Sequence, residues 1–116
     1  MDKATQEKLL ANVKNLNEKY RSKLPDRLAE IQSFWSKARE NLDDDTVQKN
    51  FYRVVHSLAG SAGTFGFAEV GASARLLLNS IKEWQNEKGI SNVLIEQIEI
   101  RMNEFEQVVQ TACNEI

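Results

Sequence analysis

Apolar residues recur at intervals of three and four along almost the whole chain, and no strand-like β-branched alternation at period two is sustained. The first spacing marks one face of an α-helix and the second would mark a strand, so the pattern predicts an all-α protein. Leu9, Val13, Leu16 and Tyr20 define a first amphipathic helix from about Asp2 to Tyr20. Pro25 disfavours helical geometry at Leu24 and suits the first turn of a new helix, whose stripe is Leu28, Ile31, Trp35, Ala38 and Leu42.

The acidic run Asp43 to Asp45 reads as a solvated turn, with Asp45 capping the next helix and Gln48 closing a capping box. That third helix turns Val47, Phe51, Val54, Leu58 and Phe65 inward, runs to Gly63 or beyond, and ends at Gly66. A fourth, from about Ala68 to Glu87, carries Val70, Ala74, Leu77, Ile81 and Trp84, and the run ending at Gly89 terminates it. Ser91 or Asn92 caps a fifth, which buries Leu94, Ile98, Met102, Phe105, Val109 and Ala112. Long amphipathic helices on short connections favour antiparallel neighbours. The expected architecture is an antiparallel up-and-down four-helix bundle with an additional N-terminal helix, and Trp35 and Trp84 belong to its core.

With 116 residues and 41% apolar side chains, the chain suits one folded domain spanning residues 1–116. Fifteen basic and seventeen acidic residues leave a formal charge of -2, which supplies no field for a polyanion, so nucleic acid is not an expected partner. Apolar runs are only a few residues long and the N-terminus is polar, arguing against a membrane span or a signal peptide and for a cytoplasmic protein. The single cysteine, Cys113, cannot form an internal disulfide and reads as a small hydrophobe on a helical stripe.

One segment departs from plain bundle chemistry. Val54 to Phe67 holds the only histidine, His56, and three of the five glycines. At about 100° per residue, His56 falls roughly 180° from Val47, opposite the expected core stripe. Lys49, Tyr52, Arg53, Ala59, Gly60 and Gly63 share its outer face by their spacing. A helical glycine costs about 0.5–1 kcal/mol relative to alanine. Bare main chain beside an imidazole would let another macromolecule bring a reactive centre close, with Lys49 and Arg53 available to an arriving anion. The bland alternative is that small residues permit tight helix packing and the histidine does nothing.

The stretch from His56 to Phe67, HSLAGSAGTFGF, resembles the signature of the histidine-containing phosphotransfer (HPt) family of two-component phosphorelays. The matching letters are His56, Leu58, Gly60 and Gly66. The resemblance implies a four-helix bundle whose exposed histidine carries a phosphoryl group between receiver-domain aspartates, including those of a hybrid sensor histidine kinase. It implies no intrinsic cofactor, with Mg²⁺ held by the receiver, and a phosphocarrier that works as a monomer. Many members carry lysine three residues after the histidine, where this chain has Ala59; Lys49, Arg53 or Arg75 would then assist the phosphoryl group. Tyr52, Ser73 and Arg75 are further docking candidates, Phe65 belongs to the core, and Phe67 either caps the core or meets the partner. The rival reading is a non-catalytic interaction module, a degenerate relative binding a partner through the His56, Gly60 and Gly63 face. A hydrolase is disfavoured because no serine, cysteine or second-histidine constellation supports one, and no phosphate loop of the Walker type is present.

Overall fold

A computed structural model describes residues 2–87 and 92–114. Four helices account for nearly all of them: α1 Lys3–Glu40, α2 Asp45–Ser61, α3 Ala68–Asn86 and α4 Asn92–Asn114. Each helix packs on the next and α4 returns to α1, closing the up-and-down ring. No strand occurs among the described residues. The proposed caps at Ser91 and Gly89 lie outside the described residues.

The expected break at Pro25 does not occur, and the separate N-terminal helix is instead the leading half of a 38-residue α1. A proline inside a helix removes the bond to the carbonyl four residues back and crowds it, at a cost of about 3 kcal/mol. Here the ring is exposed, while Leu24 and Leu28 on either side of it are buried. Tyr20, Leu24, Leu28, Ile31, Trp35 and Ala38 recur at threes and fours without a change of phase. Tertiary packing along that unbroken stripe holds the helical path across the proline. Leu24, which the sequence pattern left outside either stripe, is the residue that joins the two.

Toward its N-terminus α1 leaves the bundle. Leu9, Val13 and Leu16 continue the core stripe yet remain 47%, 54% and 50% exposed. The molecule is accordingly elongated, 60 × 25 × 18 Å, close to the roughly 57 Å span of a 38-residue helix.

The core is aromatic at its centre, where Trp35 stacks on Phe51 at 5.4 Å and meets Trp84 edge-on at 6.0 Å. Val70, Ala74, Leu77, Ile81 and Trp84 of α3 are buried as expected, as are Ile98, Met102, Phe105, Val109 and Ala112 of α4. The α2 start differs by one residue: Asp44, not Asp45, is the cap, accepting from the Thr46 and Val47 amides at 3.0 and 3.3 Å. The Gln48 amide group donates instead to the Leu42 carbonyl at 2.6 Å, so no capping box forms. At the other end α2 stops at Ser61, and the chain turns through Gly66, whose φ of 89° is open to glycine at little cost. Tyr20 seals this turn by stacking on Phe65 at 4.8 Å and Phe67 at 5.6 Å, and it shares a 2.7 Å hydrogen bond with the Ser61 hydroxyl. Phe67 is the more deeply buried of the two phenylalanines, so it caps the core, and Phe65 is only partly covered.

Candidate functional site

The buried face of α2 is not centred where the periodicity put it. Phe51, Val55, Leu58, Ala59 and Ala62 are buried, while Val47 and Val54 are half-exposed. On a helical wheel the centre of burial is rotated by roughly 60° from Val47, toward α3. The cause is that α2 packs against two neighbours, α1 and α3, so its covered arc is wider than one stripe. Ala59, expected on the outer face, is only 4% exposed and lies inside the α2–α3 contact. His56, Lys49, Arg53, Gly60 and Gly63 remain exposed, and Tyr52 is half-buried.

Around the imidazole the geometry is definite. The Tyr52 ring, one turn earlier, lies nearly parallel to the His56 ring, with 5.8 Å between centroids and 8° between planes. The Lys82 ammonium from α3 stands 5.9 Å from the centre of the Tyr52 ring, within cation–π range. A surface depression of about 510 Å³ opens here, lined by Asp45, Gln48, Lys49, Tyr52, Arg53, His56 and Gln85. Lys49 and Arg53 take part in no ion pair among the described residues, so both charges are available to an anion. Lys82 and Gln85 were missed in the sequence because they reach the site from another helix. Their only signal is that α3 must lie beside α2 in an up-and-down bundle.

The glycines divide into two kinds. A Cβ built on Gly60 or Gly63 would meet nothing within 4 Å, so neither position is kept small by the protein's own packing. A Cβ on Gly71 would stand 3.5 Å from the Gly63 amide nitrogen, 3.6 Å from the Ala62 Cβ and 3.8 Å from the Ala59 carbonyl oxygen. Gly71 therefore lies inside the α2–α3 contact, where a Cβ would make ordinary contacts, whereas Gly60 and Gly63 face open space and are unexplained from within.

Two α3 candidates are relocated. Ser73 is buried at 9% exposure and is not presented to a partner. Arg75 does not line the depression; its guanidinium donates to the Ala59 carbonyl at 3.4 Å, supplying a donor and a positive charge near the C-terminal end of α2. Among the described residues no group of three or more His, Cys, Asp or Glu side chains could hold a metal ion. No helix among them is long and apolar enough to cross a membrane.

An exposed imidazole thus stands on the flank of a four-helix bundle, with open main chain beyond it. The chain matches the family model described as Hpt domain over residues 15–111, and it belongs to that family. Hpt domains have phosphotransfer roles in two-component signalling, act as phosphocarriers rather than classical enzymes, and interact with receiver domains of response regulators or kinases. No curated protein matches the chain.

Proposed function

We propose that His56 is the phosphoacceptor of a phosphorelay, taking a phosphoryl group from the aspartyl phosphate of one receiver domain and delivering it to the aspartate of another. The observation that carries this reading is the pairing of an exposed imidazole with Gly60 and Gly63, which the fold itself does not need to be small. An imidazole with one unprotonated ring nitrogen is a nucleophile without help from a base. The Nε2 lone pair attacks phosphorus, the N–P bond forms, and the P–O bond to aspartate breaks with its electron pair returning to the carboxylate. Nδ1 keeps its proton through this step. Receiver-bound Mg²⁺ would supply most of the charge stabilisation.

The chain's own contribution is orientation and local charge. Tyr52 supports one face of the ring and limits its rotation. Burial of Ala59 leaves no outward position for a cation three residues after His56. Lys49 and Arg53, respectively two turns and one turn before it and lining the same depression, take the role expected of that lysine. Arg75 is occupied on the Ala59 carbonyl and is not assigned to the phosphoryl group.

The test is transfer from a labelled, phosphorylated receiver to the chain and to His56→Gln. Wild type is expected to acquire phosphate that is labile in acid and stable in base, and the variant to acquire none while still binding the receiver. Equal labelling of the two proteins would reject His56 as the acceptor.

A further inference from the structure

Helices α2 and α3 meet in an even antiparallel register. Gly71 lies against Gly63, the Arg75 guanidinium donates to the Ala59 carbonyl at 3.4 Å, the Lys82 ammonium stands over the Tyr52 ring at 5.9 Å, and the Gln85 side-chain amide donates to the Gln48 carbonyl at 3.4 Å. Successive partners along α3 are three or four residues apart, the spacing of one helix face. The α3 position level with His56 is therefore Leu78, which is buried and has no side-chain group to hydrogen-bond an imidazole. Asn79, the next residue, lines a different depression, together with Leu76, Ile100 and Arg101. No hydrogen bond or ion pair holds the His56 ring among the described residues, and its one contact of defined geometry is the nearly parallel Tyr52 ring. Helical side chains lean back toward the N-terminus, which carries His56 over the residue one turn before it.

We propose that Lys82 is a positioning residue, which from α3 holds the Tyr52 ring against His56 and so fixes the plane in which the imidazole meets a phosphoryl donor. Its bearing on transfer rests on His56 being the acceptor; the hold on the ring does not. A helical aromatic side chain has two usual χ1 wells, and a ring kept in one of them presents a fixed wall to its neighbour one turn on. The cation supplies the bias, because an ammonium is attracted to the electron-rich face of an aromatic ring. Lys82 is paired with no carboxylate among the described residues, so its charge is free for that ring. Its place along α2 is fixed by Arg75 two turns before it and Gln85 one turn after it, both hydrogen-bonded across the helix contact. Lys49 and Arg53 line the depression and face an arriving anion directly, whereas Lys82 does not line it and acts through Tyr52. Rotation of an imidazole about χ2 is soft, and attack on phosphorus needs the nitrogen in line with the breaking bond. An unsupported ring is misdirected part of the time. One exposed cation–π contact biases such a population about two- to fivefold.

Nuclear magnetic resonance of the full chain reads the hold on the ring without any receiver, and His56 is the only histidine, so its ring signals identify themselves. The Tyr52 ring current should displace the carbon-bound imidazole protons from their positions in the unfolded chain. Tyr52→Phe should keep that displacement and Tyr52→Leu abolish it. Lys82→Met should shrink it and Lys82→Arg restore it, with helical circular dichroism unchanged because Lys82 is exposed. With saturating phosphorylated receiver, Lys82→Met should accept phosphate about two- to fivefold more slowly than wild type, and Lys82→Arg at the wild-type rate. Ring signals indifferent to Lys82→Met, a loss that Lys82→Arg does not restore, or a defect confined to the receiver concentration required while the saturated rate is intact would each overturn the proposal. If wild type itself accepts no phosphate while the ring signals respond as expected, His56 loses the acceptor role and the hold of Lys82 on Tyr52 stands.

Discussion

Replacing Gly60 with alanine separates the two uses a helix can have for a glycine. The position lies in the last turn of α2, and a Cβ there meets no other atom within 4 Å. Alanine therefore adds no clash and restricts the unfolded chain, which should stabilise the protein by about 0.5–1 kcal/mol. For a domain of this size that is a rise in Tm of roughly 2–6 °C, readable by far-UV circular dichroism. Receiver binding should move the other way. A methyl group inserted into a close-packed contact costs about 1–3 kcal/mol, or roughly fivefold or more in affinity. Gly71→Ala is the control: its Cβ also fits, at ordinary contact distances, but the residue is buried in the α2–α3 contact, so stability should rise or hold with no change in receiver affinity. If Gly60→Ala melts lower than wild type, or melts higher and binds receiver equally well, the argument that open main chain serves a partner is refuted.

Two further outcomes test the framework around the site. Gly66→Ala should destabilise by about 1–3 kcal/mol, because its φ of 89° is strained for an L-residue and the new Cβ would lie 3.3 Å from the Asn17 side-chain amide; urea midpoints measure the loss. Burial pushes the Tyr20 phenol above its usual value, partly offset by its bond to Ser61. A group protonated more tightly in the folded state contributes stability that is complete below its unfolded pKa, about 10, and is lost as pH rises through the folded value. Tyr20→Phe should thus cost about 0.5–1.5 kcal/mol at pH 8 through the missing hydrogen bond, and the gap to wild type should narrow in urea titrations above about pH 10. A gap that widens with pH would contradict the assignment.

How far the fold could be read in advance depended on how many neighbours each helix has. The stripes of α3 and α4 were legible because the apolar positions spaced at threes and fours, from Val70 to Trp84 and from Ile98 to Ala112, are the buried ones, while Leu94, expected in the α4 stripe, is only partly buried and the off-stripe Leu76 and Ile100 are exposed. The α2 face was misplaced because the apolar letters of Val47 and Val54 drew the stripe away from Ala59 and Ala62, small residues whose burial depends on α3 lying close. Pro25 misled for a related reason: local preference said break, and the continuous packing of Leu24 and Leu28 overrode it. His56, Lys49, Arg53 and Gly60 share α2 and Gly63 lies just past its end, so their common exposure could be read from helical spacing alone. Lys82 and Gln85 approach across the α2–α3 boundary, and no periodicity within a single helix reports them.

The open main chain at Gly60 and Gly63 bears on how a partner is recognised. At the end of α2 neither position carries a side chain to immobilise when another surface arrives, and nothing of the protein's own stands where one would be. Ordering flexible side chains typically costs about 0.5–1.5 kcal/mol each on association. A landing area of backbone avoids most of that cost, so encounters here should be set by shape and charge and should be readily reversible.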